Sequence, residues 1–262
     1  MKRITKPNAP SLRNYFVLKL MRFRKLDEFR IGDRRFEVNE AINLLTREKY
    51  FRGIYSKGRT HSQIALNSDE PRYAQVFVEL ARVLSLPQAG SVLVLGVCGG
   101  SIPYDYLRRW PNLQITGIEY EEVMIEMAKK HFIPDFPPGH FNLIHADGVQ
   151  YVQNPELRNQ FDLVVSDIFY NTGLPNDVYT PQYFENLANI TNENGVTIFN
   201  LCGAAPERTS GYLDGIKAAY GMCEVLTGDS VNLVAVAGKD AERIRENLRG
   251  FSLPNWRWLM SY

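Results

Sequence analysis

Cysteine is scarce in this chain. Cys98, Cys202 and Cys223 are too few and too scattered for a disulfide framework or a cysteine-based zinc site. A reducing, cytoplasmic compartment is therefore the expected setting. The histidines His61, His131, His140 and His145 have no metal-ligand spacing, so they read as surface or packing residues and no metal is expected. No apolar run reaches the roughly 18 residues of a membrane span. The first apolar stretch is broken by Lys19 and Arg22, which does not fit a signal peptide. Net charge is nearly absent too: 30 Lys and Arg against 29 Asp and Glu leave +1. No global field points to nucleic acid or a membrane surface. Acids are missing from residues 1–25, where basic residues run from Lys2 and Arg3 to Arg24 and Lys25. That segment reads as a solvated tail docking through Tyr15, Phe16, Val17 and Leu18, with an anionic partner as the competing reading.

What is present suits a globular protein. With 262 residues, 45% hydrophobic and 23% charged, the chain can form one large domain, or one domain with a small extra piece. Residues 1–67 combine the basic tail with a small β-rich cap, signalled by RRFEVN, RGIYS and HSQIALN. From residue 68 the pattern changes. Ser68 or Asp69 can cap a helix with Pro71 in its first turn. Apolar residues from Tyr73 to Leu84 then recur at helical spacing. The short apolar run SVLVLG (91–96) predicts a parallel strand buried on both faces. Helices are predicted over 101–110, 121–132, 149–160, 180–190 and 207–220. Strands are predicted over 113–119, 141–147, 161–167 and 195–201. CEVLTG and VNLVAVAG, separated by Asp229-Ser230, predict a hairpin. The segment from Asp240 to Gly250 closes as a polar helix, and Trp256 and Trp258 read as a packed tail. The expected fold is α/β over residues 68–262: a Rossmann-like, class I methyltransferase sheet of parallel strands with an antiparallel hairpin at its end.

Ligands in such sheets bind beyond the carboxyl ends of the strands. Four features gather there. The loop GVCGGS, with Gly96, Cys98 and Gly100, follows the first strand of the sheet and opens a helix. Its small residues let backbone approach a ligand. Glu119, followed by Tyr120, ends the next strand and is placed to accept from ribose hydroxyls. Asp147, followed by Gly148, ends the third and can accept from an adenine amine. Asp167 ends the fourth. Singly, each acid is as well explained by a helix cap or a solvated loop. Three in succession beside a glycine loop outline a nucleoside pocket.

VLVLGVCGGS, GIEYEEVMIEMAKKHF, HADGVQYV, FDLVVSD and GLPNDVYTPQYFENL resemble the spermidine synthase family over about residues 69–201. The resemblance implies a donor of the S-adenosylmethionine type, decarboxylated in that family, and aminopropyl transfer to an amine. It implies that Asp167 activates the acceptor as a base, that Tyr73 lines the acceptor pocket, and that the protein is a homodimer. Two departures matter. Gly99 and Tyr170 stand where the family has acids that hold the donor amine and the acceptor amine. The nucleoside site is therefore expected to be kept and the polyamine site rebuilt. Phe169 and Tyr170 suit a less charged acceptor or a cation–π contact with the sulfonium, or they simply pack. Aminopropyl transfer, methyl transfer from S-adenosylmethionine, and a non-catalytic nucleoside- or partner-binding relative are the readings this sequence leaves open.

Overall fold

A computed structural model describes residues 21–67, 74–87, 89–169, 176–201, 206–228, 233–254 and 256–261. Tyr73, Tyr170, the Ser68, Asp69 and Pro71 capping segment and the Asp229-Ser230 turn lie outside these residues. The chain divides into two compact units, residues 1–70 and 71–262.

The first unit is one antiparallel sheet in the order β1-β2-β3-β4. Its strands are β1 (Met21–Ile31), β2 (Arg34–Asn43), β3 (Lys49–Ser56) and β4 (Arg59–Ala65). Lys57 and Gly58, with φ of 49° and 74°, form the two-residue turn between β3 and β4. Positive φ at both positions matches the strand twist. Alternation along β2 buries Phe36, Val38 and, on the same face, Glu40. A buried carboxylate needs partners, and the register supplies them. Arg24 on β1 and Arg52 on β3 lie directly opposite Glu40. Arg24 Nη2 reaches Glu40 Oε1 at 2.8 Å, and Arg52 donates to Oε2 from Nη2 at 2.6 Å and Nε at 3.1 Å.

The second unit holds an eight-stranded sheet in the order β12-β10-β11-β9-β8-β5-β6-β7. The strands are β5 (Ser91–Leu95), β6 (Gln114–Glu119), β7 (Phe141–His145), β8 (Phe161–Ser166), β9 (Thr191–Asn200), β10 (Glu224–Thr227), β11 (Leu233–Ala237) and β12 (Arg257–Ser261). The helices are α1 (Gln75–Val83), α2 (Ser101–Arg109), α3 (Glu122–His131), α4 (Gly148–Tyr151), α5 (Pro181–Ile190), α6 (Pro206–Tyr220) and α7 (Ala241–Leu248). The five strands from β7 to β9 are parallel, and β11 runs antiparallel beside β9. This is the Rossmann-like methyltransferase sheet expected from the alternating pattern. The order turns at β5, which pairs with β6 on one side and β8 on the other.

Two local expectations need correction. The helix expected over 149–160 stops at Tyr151, and Asn154 caps a separate 3₁₀ turn at Pro155–Leu157. Proline disfavours helical geometry in the residue before it, so Asn154 cannot continue the helix. The strands of the expected hairpin pair antiparallel, and β11 joins the parallel sheet beside β9. The tail is not merely packed: residues 257–261 add a strand beside β10. Among the described residues no helix is long and apolar enough to cross a membrane. None of their His, Cys, Asp and Glu side chains gather as a possible metal site.

Burial raises the Glu40 pKa, but hydrogen bonds and charge from Arg52, with Lys49 and Arg24, outweigh it and hold the carboxyl below its ordinary 4.5. The folded pKa is depressed, so this stabilisation is present above about pH 4.5 and is lost as pH falls through the folded value. Glu40→Gln leaves Arg52 buried without its counter-charge and is expected to cost about 3 kcal/mol. Urea unfolding at neutral pH checks this, and the gap between wild type and variant should narrow in acid.

Candidate functional site

The loop after β5 leaves the sheet through Gly96. Its φ is +84°, and a Cβ there would stand 2.2 Å from the Asp167 carbonyl oxygen. Only glycine allows β5 and β8 to exit this close together. The Asp167 N–H donates to the Leu95 carbonyl at 2.8 Å, and the Gly96 N–H to the Ile118 carbonyl at 2.9 Å. The ends of β5, β6 and β8 are thus laced together by backbone. Cys98 also has positive φ, at 51°. Such a conformation in a non-glycine residue costs free energy and concentrates at functional loops. Its N–H is aimed at Glu119. Gly100, with φ of +84°, precedes α2, and a Cβ there would meet Phe136 at 2.7 Å.

Glu119 is buried, and its carboxylate faces four backbone N–H groups. Oε2 accepts from Val97 at 3.2 Å and Cys98 at 2.8 Å. Oε1 accepts from Tyr120 at 2.9 Å and Glu121 at 3.0 Å. A carboxylate has about four acceptor positions, so the side chain expected to meet a ribose is engaged by its own loop. Tyr120 beside it is 52% exposed. Its carbonyl is held by His145 Nε2 at 3.0 Å. Asp147 caps α4: Oδ1 accepts from Val149 at 2.8 Å and Gln150 at 3.2 Å. Its Oδ2 makes no hydrogen bond to the described residues. Gly148 brings this turn against Ile168, 3.0 Å from where a Cβ would stand, and so beside Asp167.

Asp167 is half-buried, and its Oδ1 accepts from Asn200 Nδ2 at 2.6 Å. Asn200 ends β9, so a fifth strand end contributes to the edge. The sequence reading missed it. The available signal was a polar residue closing an apolar strand, the same signal that marked the acids. Phe169 is 37% exposed, whereas Ile168 is buried. Below this edge Ser166 Oγ and Tyr183 Oη share a buried hydrogen bond of 2.8 Å. That bond and the Thr180 cap set α5 under β8. Gly96, Cys98, Glu119, Asp147 and Asp167 therefore belong to one sheet edge. Tyr73 and Tyr170 fall outside the described residues.

This edge, a glycine loop at the turning point with an acid after each neighbouring strand, has known relatives. The model of the spermine/spermidine synthase domain matches residues 70–208, more than half of the chain. The chain belongs to this family. It is 25% identical over 130 residues to a polyamine aminopropyltransferase of Vibrio vulnificus, covering 49% of this chain and 43% of that protein. It is 26% identical over 121 residues to one of Serratia proteamaculans, covering 44% and 41%. The matched segment is thus less than half the length of these relatives. In fold, a probable spermidine synthase from Corynebacterium glutamicum superposes with a TM-score of 0.71 at 14% identity, over 88% of this chain and 89% of that one. A spermidine synthase bound to the transition-state analogue AdoDATO gives 0.64 at 18% identity, over 88% and 80%. Human methyltransferase-like protein 13 bound to SAH gives 0.58 at 18%, over 69% and 93%.

Glu119→Gln turns a donor amide toward two backbone N–H groups that now meet an acceptor. A loss of about 2 kcal/mol in unfolding free energy is expected. Nucleoside affinity should fall with it, because the glycine loop is released from β6. A stability change smaller than about 0.5 kcal/mol in urea unfolding would show that the tie is dispensable.

Proposed function

We propose that this family member transfers a group from a sulfonium nucleoside donor to a small amine acceptor, with Asp167 as the base. The observation that carries the reading is the place of Asp167: it follows β8 at the turning point of the sheet, with its carboxylate oriented by Asn200. A protonated amine cannot attack. Asp167 takes a proton from the ammonium, and the nitrogen lone pair then attacks the carbon bonded to sulfur. The carbon–sulfur bond breaks, its electrons stay on sulfur, and the nucleoside leaves as a neutral thioether. The leaving group needs no further activation, so what remains for the protein is alignment and exclusion of water.

The edge fits a nucleoside on its own residues. Gly99 and Gly100 carry no side chains over the loop, the second oxygen of Asp147 suits an adenine amine, and the exposed Tyr120 ring offers a face for stacking. Glu119 holds the loop in shape, and a ribose reaches its carboxylate by taking the place of a backbone donor. Aminopropyl transfer from decarboxylated S-adenosylmethionine is the reading that the names of the relatives support. Methyl transfer from S-adenosylmethionine is the second reading. It is favoured by Gly99, which sets no acid against the carboxylate that S-adenosylmethionine keeps.

Calorimetric titration with decarboxylated S-adenosylmethionine, S-adenosylmethionine and methylthioadenosine tests this directly. The decarboxylated donor and methylthioadenosine are expected to bind, and the better donor identifies the group transferred. If nothing binds more tightly than about 1 mM, the transferase reading fails. Asp167→Asn is expected to lower transfer by about 10²-fold or more while leaving methylthioadenosine affinity within about twofold. Equal loss of both would make Asp167 a structural residue.

A further inference from the structure

We infer that His145 is a positioning residue for the nucleobase of the donor, acting through Tyr120. This rests on the transferase reading above and concerns how that site recognises its donor. Strands β6 and β7 run parallel, and their last paired residues are Glu119 and His145. One more backbone bond closes the ladder: the Ala146 N–H donates to the Glu119 carbonyl at 3.1 Å. Past that rung the two chains separate. One carries Tyr120 and the other Asp147, the two residues proposed to meet the nucleobase.

The His145 side chain spans this fork. Its Nε2 lies 3.0 Å from the Tyr120 carbonyl oxygen, the next carbonyl along from that of Glu119. A carbonyl only accepts, so Nε2 carries a proton there. The neutral ring protonated on Nε2 and the imidazolium can both make this bond. Tyr120 is thus held on both sides of its Cα: its N–H by Glu119 Oε1 at 2.9 Å, its carbonyl by His145. These two contacts fix its backbone and leave only side-chain torsions to be settled by a ligand. Asp147 is oriented separately, through its cap on Val149 and Gln150. Both groups are therefore in place before a nucleobase arrives. Such preorganisation raises affinity by removing the cost of ordering them on binding.

The fold itself asks little of this imidazole. His145 is exposed and lies in the end strand of the sheet. Its pairing with Glu119 uses backbone alone, which any residue but proline supplies. Among the described residues its ring makes no hydrogen bond other than the one to Tyr120. What the ring does is hold that carbonyl, and with it the place of the Tyr120 side chain relative to Asp147.

Calorimetric titration of the full-length protein with methylthioadenosine tests this role. His145→Leu removes the donor and is expected to weaken binding about 5-fold, as loss of one hydrogen bond would. His145→Gln, whose amide also presents an N–H, should restore wild-type affinity. In a Tyr120→Ala background His145→Leu should weaken binding no further, because the side chain it positions is gone. Urea unfolding of His145→Leu should match the wild type. Unchanged affinity in His145→Leu, an equal loss in His145→Gln, or the same loss in the Tyr120→Ala background would each overturn the inference. So would a His145→Leu protein that unfolds at lower urea in step with its lost affinity, since a structural role would then suffice. Failure of the wild type to bind methylthioadenosine sinks the transferase reading and this inference together. The other outcomes, measured against a wild type that binds, overturn this inference alone.

Discussion

The carboxylate of Glu119 accepts four backbone N–H groups, two from the loop after β5 and two from the turn after β6. Much else depends on this contact. It lets Cys98 hold a left-handed backbone and sets the glycine loop at the entrance to α2. It also joins two strand ends beside the point where the sheet changes direction. Gly96 makes the matching contact on the other side, where its missing Cβ lets the Asp167 carbonyl approach. The loop is thus tied to β6 by a side chain and to β8 by the absence of one. A site on such an edge is rigid where the nucleoside would lie, and rigidity at the reacting centre is what alignment requires.

The acids at the strand ends divide the work differently from what their chain positions suggest. Asp147 caps a helix through one oxygen and keeps the other free of hydrogen bonds to the described residues. Glu119 is mainly a structural tie. Asp167 is half-buried and steered by Asn200. Of the three it is the one on which the proposed proton transfer rests. The buried bond between Ser166 and Tyr183 supports the strand end from below. Burial pushes the Tyr183 hydroxyl well above its ordinary pKa, so it is neutral under ordinary conditions and available as a partner to Ser166.

Family membership rests on one continuous stretch of the chain. The matched segment includes the glycine loop, the three acids and the α5 helix. Gly99 lies within the same segment and brings no charge to the loop. The fold is shared with spermidine synthases at 14% and 18% identity.

The strand and helix succession, the glycine loop and the acids at strand ends were legible in the sequence, because each is a local pattern. A buried parallel strand is a short apolar run, and a loop that must turn sharply carries glycine. The halt at Asn154-Pro155 was legible too, and the expected helix overran it. Non-local pairings were not legible. Neither β11 beside β9 nor the last strand beside β10 follows from residues near it, since strand pairing joins distant segments. The direction in which each carboxylate points is of the same kind. Asn200 lies 33 residues from Asp167, and His145 lies 25 from Tyr120. By itself the sequence determined which side chains would be carried to the carboxyl edge. Only the tertiary structure decided which of them meet, because hydrogen bonds and charges act between neighbours in space, whatever their separation along the chain.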